Sequence, residues 1–286
     1  MAWKTLRLER DGHVARLVLD RPEKLNSFTA EMWGELRRLG RELLADPGDI
    51  RALVVTGEGR AFSSGIDTSM FAGALGQAGE STDALTEGTG GNEPGAGPQH
   101  PDPVAAAVLR TQEAYTWLED APFATIAAVR GYALGAGLQL ALACDVRIVA
   151  RGTRLGLLEL RYGIMPDLGG TQRLPRLVGA GKAKELIFTA ARIDAEEAHR
   201  IGLAERIVDD ADLDAEAASL AELIAAQPPL AVRGSKRAVA AAGVADTVHD
   251  GLVVEAEAQA ACLRSDDMKE AIAAFVEQRP PRYEAR

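Results

Sequence analysis

The segment that most constrains the fold is Ala121–Ala143, the most apolar stretch of the chain. It is too interrupted to cross a membrane, which takes about 20 consecutive apolar residues. Arg130 breaks it, Asp120 and Asp145 flank it, and Gly131, Gly135, Gly137 and Gln139 lie inside it. The pattern predicts a buried strand over Thr125–Val129, a glycine turn, and a short helix over Gly137–Cys144. A further strand follows at Val146–Ala150. Strands alternating with helices predict an α/β fold.

The flanking sequence fits that class. Alternating apolar residues on both sides of Asp11-Gly12 predict a hairpin, and Arg21-Pro22 ends its second strand. Thr29 can cap a helix carrying Met32, Leu36, Leu39 and Leu43. Ala52–Thr56 reads as a buried strand, ending in the turn Gly57-Glu58-Gly59. Residues 71–103 are rich in Gly, Ala, Thr and Pro and read as a long variable loop, either a surface insertion or a pocket lid. A helix is expected over Val104–Leu118. From about residue 211 the pattern is helical and Ala-rich, with helices at Leu213–Ala226, Leu230–Ala242, Val248–Leu263 and Asp267–Val276. The expected organisation is a core over residues 1–208 and a C-terminal helical region over 209–286.

Composition narrows the function. The 286 residues carry a net charge of −10, which argues against nucleic-acid binding. Two cysteines exclude a disulfide scaffold and a Cys-rich zinc site. The four histidines show no metal-ligand spacing, so no metal is expected. The charged, alternating N-terminus is unlike a signal peptide, which predicts a cytoplasmic protein with no membrane partner.

Three segments carry candidate chemistry. The first is Arg60-Ala-Phe-Ser-Ser-Gly-Ile-Asp67, which follows a buried strand where a parallel sheet places ligand loops. A nucleophile elbow around Ser63 fails because Ala61 occupies its first glycine position. The second is Gly131-Tyr-Ala-Leu-Gly-Ala-Gly137, whose helix N-terminus can stabilise negative charge. A dinucleotide fingerprint fails there, because Leu140 stands at its third glycine. The third runs from Leu158 to Pro175. Glu159 lies in an apolar run, either paired with a cation such as Arg161 or desolvated and so suited to proton transfer. Asp167 precedes Gly169-Gly170 and reads as a turn residue or a second acid.

The series Arg21-Pro-Glu-Lys-Leu-Asn26, Phe62-Ser-Ser-Gly-Ile-Asp67, Gly131–Gly137, Cys144-Asp145 and Gly169-Gly-Thr-Gln-Arg-Leu174 resembles the crotonase family of enoyl-CoA hydratases and isomerases. The resemblance runs from about residue 3 to Ala-Phe-Val-Glu277 and omits the 71–103 loop. It implies a crotonase-type spiral of ββα units with a C-terminal helical trimerisation region. It further implies a homotrimer or a dimer of trimers. The implied substrate is an acyl-CoA thioester, with no separate cofactor.

The family stabilises an enolate with two backbone N–H groups, which by motif position are those of Ile66 and Ala136. The usual glycine is alanine at 136. Typical hydratases resemble one another in two glutamates that activate a water. Here the first position is Gln139 and the second is Glu159. A single carboxylate at that second position resembles the Δ3,Δ2-enoyl-CoA isomerases. Asp167 lies where dienoyl-CoA isomerases carry an aspartate. The resemblance therefore implies double-bond isomerisation, with Glu159 as proton shuttle and Asp167 as a further acid. Hydration of 2-enoyl-CoA is the alternative, and a non-catalytic acyl-CoA-binding protein a second. Lys24, Ser64, Asp67 and Gln139 are the implied substrate and CoA contacts. The position where some relatives place a lysine from the adjoining subunit holds Gln278, beside Arg279.

Overall fold

The computed structural model describes residues 3–70 and 100–284. Residues 71–99, which make up most of the expected variable loop, lie outside the described residues. The chain opens with β1 (Leu6–Asp11) and β2 (Val14–Leu19), the hairpin expected around Asp11-Gly12. A 3₁₀ turn at Pro22–Lys24 follows, then α1 (Ala30–Ala45), capped as expected by the Thr29 hydroxyl on the Met32 N–H at 3.3 Å.

Next come β3 (Ala52–Gly57), α2 (Pro103–Asp120), β4 (Ala124–Val129), β5 (Tyr132–Leu134), α3 (Ala136–Leu142) and β6 (Val146–Ala150). The strand–turn–helix–strand order read from Ala121–Ala143 is present, with a short extra strand inside the turn. Then follow β7 (Arg154–Gly156), a 3₁₀ turn at Glu159–Tyr162, α4 (Gly170–Val178), α5 (Ala180–Thr189), β8 (Ile193–Asp194), α6 (Ala195–Arg200) and β9 (Arg206–Val208). Four helices end the chain: α7 (Leu213–Ala225), α8 (Pro229–Ala242), α9 (Val248–Arg264) and α10 (Asp266–Glu277).

The main sheet has the order β1-β2-β3-β4-β6-β9 and is parallel except between β1 and β2. A smaller sheet has the order β5-β7-β8. Both faces of the main sheet are covered, so β3 and β4 are buried throughout and mostly apolar rather than alternating. Leu53, Val55, Ala127, Val129 and Val149 face the large core shared with α1, α2 and α3. Their neighbours Ala52, Val54, Ile126, Ala128, Ile148 and Ala150 face the opposite way, onto Leu213, Ala217, Ala221 and Ala225 of α7. The alanines recur every four residues, giving α7 a smooth stripe that lies close to the strands. The expected boundary at 208/209 falls just before α7, a helix that covers one face of this sheet.

α8 and α9 pack on one another, and α9 has no buried residue. Lys236 ties α8 down through the carbonyls of Leu118 (2.7 Å) and Phe123 (3.1 Å) and the Asp145 carboxylate (2.9 Å). Among the described residues, no helix is long and apolar enough to cross a membrane.

Candidate active site

Two turns at the ends of parallel strands meet beside the small sheet. The segment after β3 runs through Phe62–Asp67, and β5 leads into the turn before α3. A parallel bridge joins Ser63 to Ala133, with the Ser63 N–H on the Tyr132 carbonyl (2.8 Å) and the Leu134 N–H on the Ser63 carbonyl (3.1 Å). Gly65 has φ +103°, and a side chain there would lie 2.9 Å from the Leu134 carbonyl oxygen. Gly135, at φ +50° and ψ −119°, occupies a conformation that L-residues rarely adopt. The Ser63 side chain is fully buried and accepts from the Gly65 N–H at 3.2 Å, so it is no exposed nucleophile.

The expected donors sit on these turns. Ala136 is the first residue of α3, where a helical N–H has no partner within the helix. Ile66 lies between Gly65, whose carbonyl accepts from the Phe28 N–H (2.7 Å), and Asp67, whose N–H donates to the Phe28 carbonyl (2.9 Å). No hydrogen bond of the Ile66 or Ala136 N–H occurs among the described residues.

Glu159 stands against this point. A side chain on Gly135 would lie 3.3 Å from Glu159 Oε1, so the carboxylate packs on the turn itself. Glu159 is 4% exposed. Its Oε1 accepts from Gln139 Nε2 at 2.7 Å, while its buried Oε2 has no hydrogen-bond partner among the described residues. Arg161 does not pair with it; that guanidinium donates to the Ala190 carbonyl at 2.7 Å. Burial pushes the Glu159 carboxyl above the usual range. Its own backbone N–H and the Gln139 amide partly offset this, and the negative charge of Asp167 adds to the rise.

Gln139 is buried and held at both ends of its amide. Its Oε1 accepts from the N–H groups of Leu168 (2.8 Å) and Gly170 (2.9 Å). It therefore pins Glu159 to the loop that carries Asp167. Asp167 is half-buried, and burial raises its carboxyl above the usual range, against the pull of its own backbone N–H.

Two residues that the sequence reading passed over hold this loop. Gln112 of α2 donates to the Asp167 carbonyl at 2.6 Å. The buried Arg173 donates to the Leu168 carbonyl at 2.9 Å and pairs with Glu119. The signal for Arg173 was its place in the Gly-Gly-Thr-Gln-Arg-Leu run; Gln112 left none.

Among the expected CoA contacts, Lys24 is exposed on the 3₁₀ turn after β2, and Ser64 lies beside it, its N–H on the Leu25 carbonyl at 2.9 Å. Asp67 is committed elsewhere. Its carboxylate accepts from Arg21 (3.0 Å), Ser27 (3.2 Å) and both the N–H and hydroxyl of Ser69 (3.1 and 2.8 Å). Burial works against the ionised form, but these donors outweigh it and hold the carboxyl at about 2. The structure thus gives Asp67 the task of fastening the 62–67 turn to Arg21 and Ser27.

The arrangement can do one kind of chemistry well. Two adjacent backbone donors can stabilise a carbonyl oxygen as it gains charge, while a desolvated carboxylate moves a proton nearby. Comparison with known proteins agrees. The family model described as enoyl-CoA hydratase/isomerase matches residues 9–108 and 90–286. The short-chain-enoyl-CoA hydratase of Clostridium acetobutylicum is 36% identical, with 95% of this chain and 94% of that one covered. The peroxisomal Δ3,5-Δ2,4-dienoyl-CoA isomerase of Arabidopsis thaliana is 32% identical, covering 99% and 98%. A Thermobifida fusca structure solved with CoA superposes with a TM-score of 0.76 at 42% identity, covering 91% and 93%. The chain belongs to the enoyl-CoA hydratase/isomerase family, within the crotonase superfamily, and has its α/β fold with C-terminal helices.

Proposed function

We propose that this enzyme shifts a double bond in an enoyl-CoA or dienoyl-CoA thioester. The observation that carries this reading is the state of Glu159. One oxygen is held by a neutral amide, and the other is buried and without a partner among the described residues. A neutral amide donates hydrogen bonds but does not transfer its protons as a carboxyl does, so Gln139 cannot serve as the second acid of a hydratase pair. That leaves one carboxylate beside the paired turns, with Asp167 on the adjoining loop.

In this reading the thioester oxygen accepts from the N–H groups of Ile66 and Ala136. Glu159 removes a proton from the carbon next to the carbonyl, giving an enolate, and returns it further along the acyl chain. Asp167 serves as a second proton carrier on a longer conjugated path. Lys24 and the backbone near Ser64 meet the CoA moiety, in keeping with the CoA-bound relative. Gln139 and Asp67 position the site. The exposed apolar residues Val239, Val248, Phe275 and Val276 on the last helices support assembly into trimers, which light scattering would test.

Hydration of 2-enoyl-CoA is the second reading, favoured by the name of the Clostridium relative. Mass spectrometry of 2-enoyl-, 3-enoyl- and dienoyl-CoA thioesters incubated with the enzyme in D₂O separates the two. Deuterium gained without added water means isomerisation. Net addition of D₂O means hydration and overturns the isomerase assignment.

A further inference from the structure

Behind the paired turns lies a cluster of three buried aromatic rings from two different parts of the chain. Phe28 precedes α1, Trp33 lies in its first turn, and Tyr115 comes from α2. Phe28 stacks on Trp33 (centroids 5.8 Å, 19° between planes) and meets Tyr115 edge-on (5.7 Å, 66°). The Trp33 Nε1–H donates to the Tyr115 hydroxyl at 3.2 Å, and that hydroxyl donates to the Ala136 carbonyl at 3.1 Å. The direction of this relay is fixed by chemistry. An indole N–H only donates, so the hydroxyl accepts there and its single proton goes to Ala136.

The same cluster reaches the other turn through the main chain of Phe28. Its N–H and carbonyl bond to Gly65 and Asp67, the two neighbours of Ile66. In extended backbone, successive N–H groups point to opposite sides. With the Asp67 N–H on Phe28, the Ile66 N–H is turned away from it.

We propose that Phe28, Trp33 and Tyr115 form a bracket that sets the spacing and aim of the Ile66 and Ala136 N–H groups. Tyr115 and Trp33 are then positioning residues for enolate stabilisation. This inference rests on the reading of those two N–H groups as the oxyanion donors. The bracket joins them from behind: Phe28 holds the first turn by its backbone, and Tyr115 holds the first residue of α3 by its hydroxyl. Burial pushes the Tyr115 phenol up, so it stays a protonated donor throughout the working pH range.

The test is Tyr115→Phe, which keeps the ring and removes the hydroxyl. The readout is the near-ultraviolet absorbance of the enolate formed when a 3-oxoacyl-CoA saturates the enzyme. It is recorded with kcat, KM and the affinity for free coenzyme A. Wild-type enzyme is expected to show the enolate band. Tyr115→Phe is expected to reduce it and to lower kcat roughly tenfold, against the ~10²-fold or more that loss of an oxyanion donor itself costs. KM and coenzyme A affinity should stay within about twofold, since uniform binding is untouched.

Trp33→Phe keeps the stack, removes the indole N–H, and is expected to act in the same direction with a smaller fall. It decides the matter if circular dichroism shows Tyr115→Phe unfolded. A purely structural role would lower thermal stability and leave band and kcat alone. That outcome, in whichever folded variants are obtained, overturns the bracket. A wild-type enzyme that binds the 3-oxoacyl-CoA without any enolate band overturns the oxyanion reading, and the bracket with it.

Discussion

Replacing Gln139 with glutamate tests the site at the atom on which its chemistry turns. In the native enzyme the Gln139 amide donates an N–H hydrogen bond to Glu159 Oε1 at 2.7 Å and accepts two backbone N–H groups with its oxygen. A glutamate keeps the second role and reverses the first, setting a carboxylate oxygen against a carboxylate oxygen. With charge centres about 4 Å apart and an effective dielectric near 20, full ionisation of the pair costs about 4 kcal/mol. That is about a thousandfold bias toward a pair that keeps one proton. Burial already disfavours charge on Glu159, which acts in the same direction. The pair should therefore titrate in two linked steps. Gln139→Glu is expected to fold, to isomerise more slowly at neutral pH, and to show an alkaline limb in kcat/KM that the native enzyme lacks. Its products should contain more hydrated thioester, because a second exchangeable carboxyl now faces the substrate. The assay is kcat/KM across pH with mass analysis of products. A pH profile superimposable on that of the native enzyme would refute the contact between residues 139 and 159 in the working site.

Three other outcomes are expected. Glu159→Gln should lower kcat by about 10²–10⁴-fold, the usual worth of a positioned acid–base group. Because burial raises the Glu159 carboxyl, its ionised form weighs against folding. Chemical denaturation should find the variant more stable at neutral pH, with the gap closing as pH falls through the raised folded value and gone below the ordinary value of 4.5. Asp67 is shifted the other way, from 3.8 to about 2, so its contribution is present above the ordinary value and lost as pH falls through the lower one. Asp67→Asn should cost about 2 kcal/mol near neutrality, and urea titrations near pH 2 should show almost no difference. Gly135→Ala combines a backbone conformation that L-residues rarely adopt with a methyl group 3.3 Å from Glu159 Oε1. It should cost about 1–3 kcal/mol in a denaturation curve and cut kcat by at least ~10²-fold.

The regular parts of this molecule are written in runs long enough to carry a period. Strands β3, β4 and β6 and helices α1 and α7 to α10 fall where apolar spacing and caps place them. Strands β5, β7, β8 and β9 have two or three residues each, too few for alternation to register. Yet β5 and β7 shape the site, since the Gly135 N–H rests on the Gly156 carbonyl at 2.8 Å. Glu159 was legible because a carboxylate in an apolar run needs an explanation. Its partner was not, because pairing with Gln139 depends on a 3₁₀ turn meeting a helix 20 residues earlier. Asp67 shows the opposite case. A motif aspartate beside a ligand loop looks like a contact, and only coordinates show four donors already on it.

The packing of α7 has a consequence for the order of synthesis. The nascent chain completes the apolar strands β3, β4 and β6 by residue 150, but the alanine stripe that covers one of their faces begins only at Leu213. A ribosome therefore releases most of a parallel sheet with one side bare, and the last strand, β9, precedes its cover by only a few residues. Stable closure must wait for residues 213–225, whatever the speed of the earlier steps. A stop codon placed between β9 and α7 would leave a chain with all six described strands of the main sheet and a strong tendency to aggregate. One placed just after α7 would leave a chain with both faces of its sheet closed.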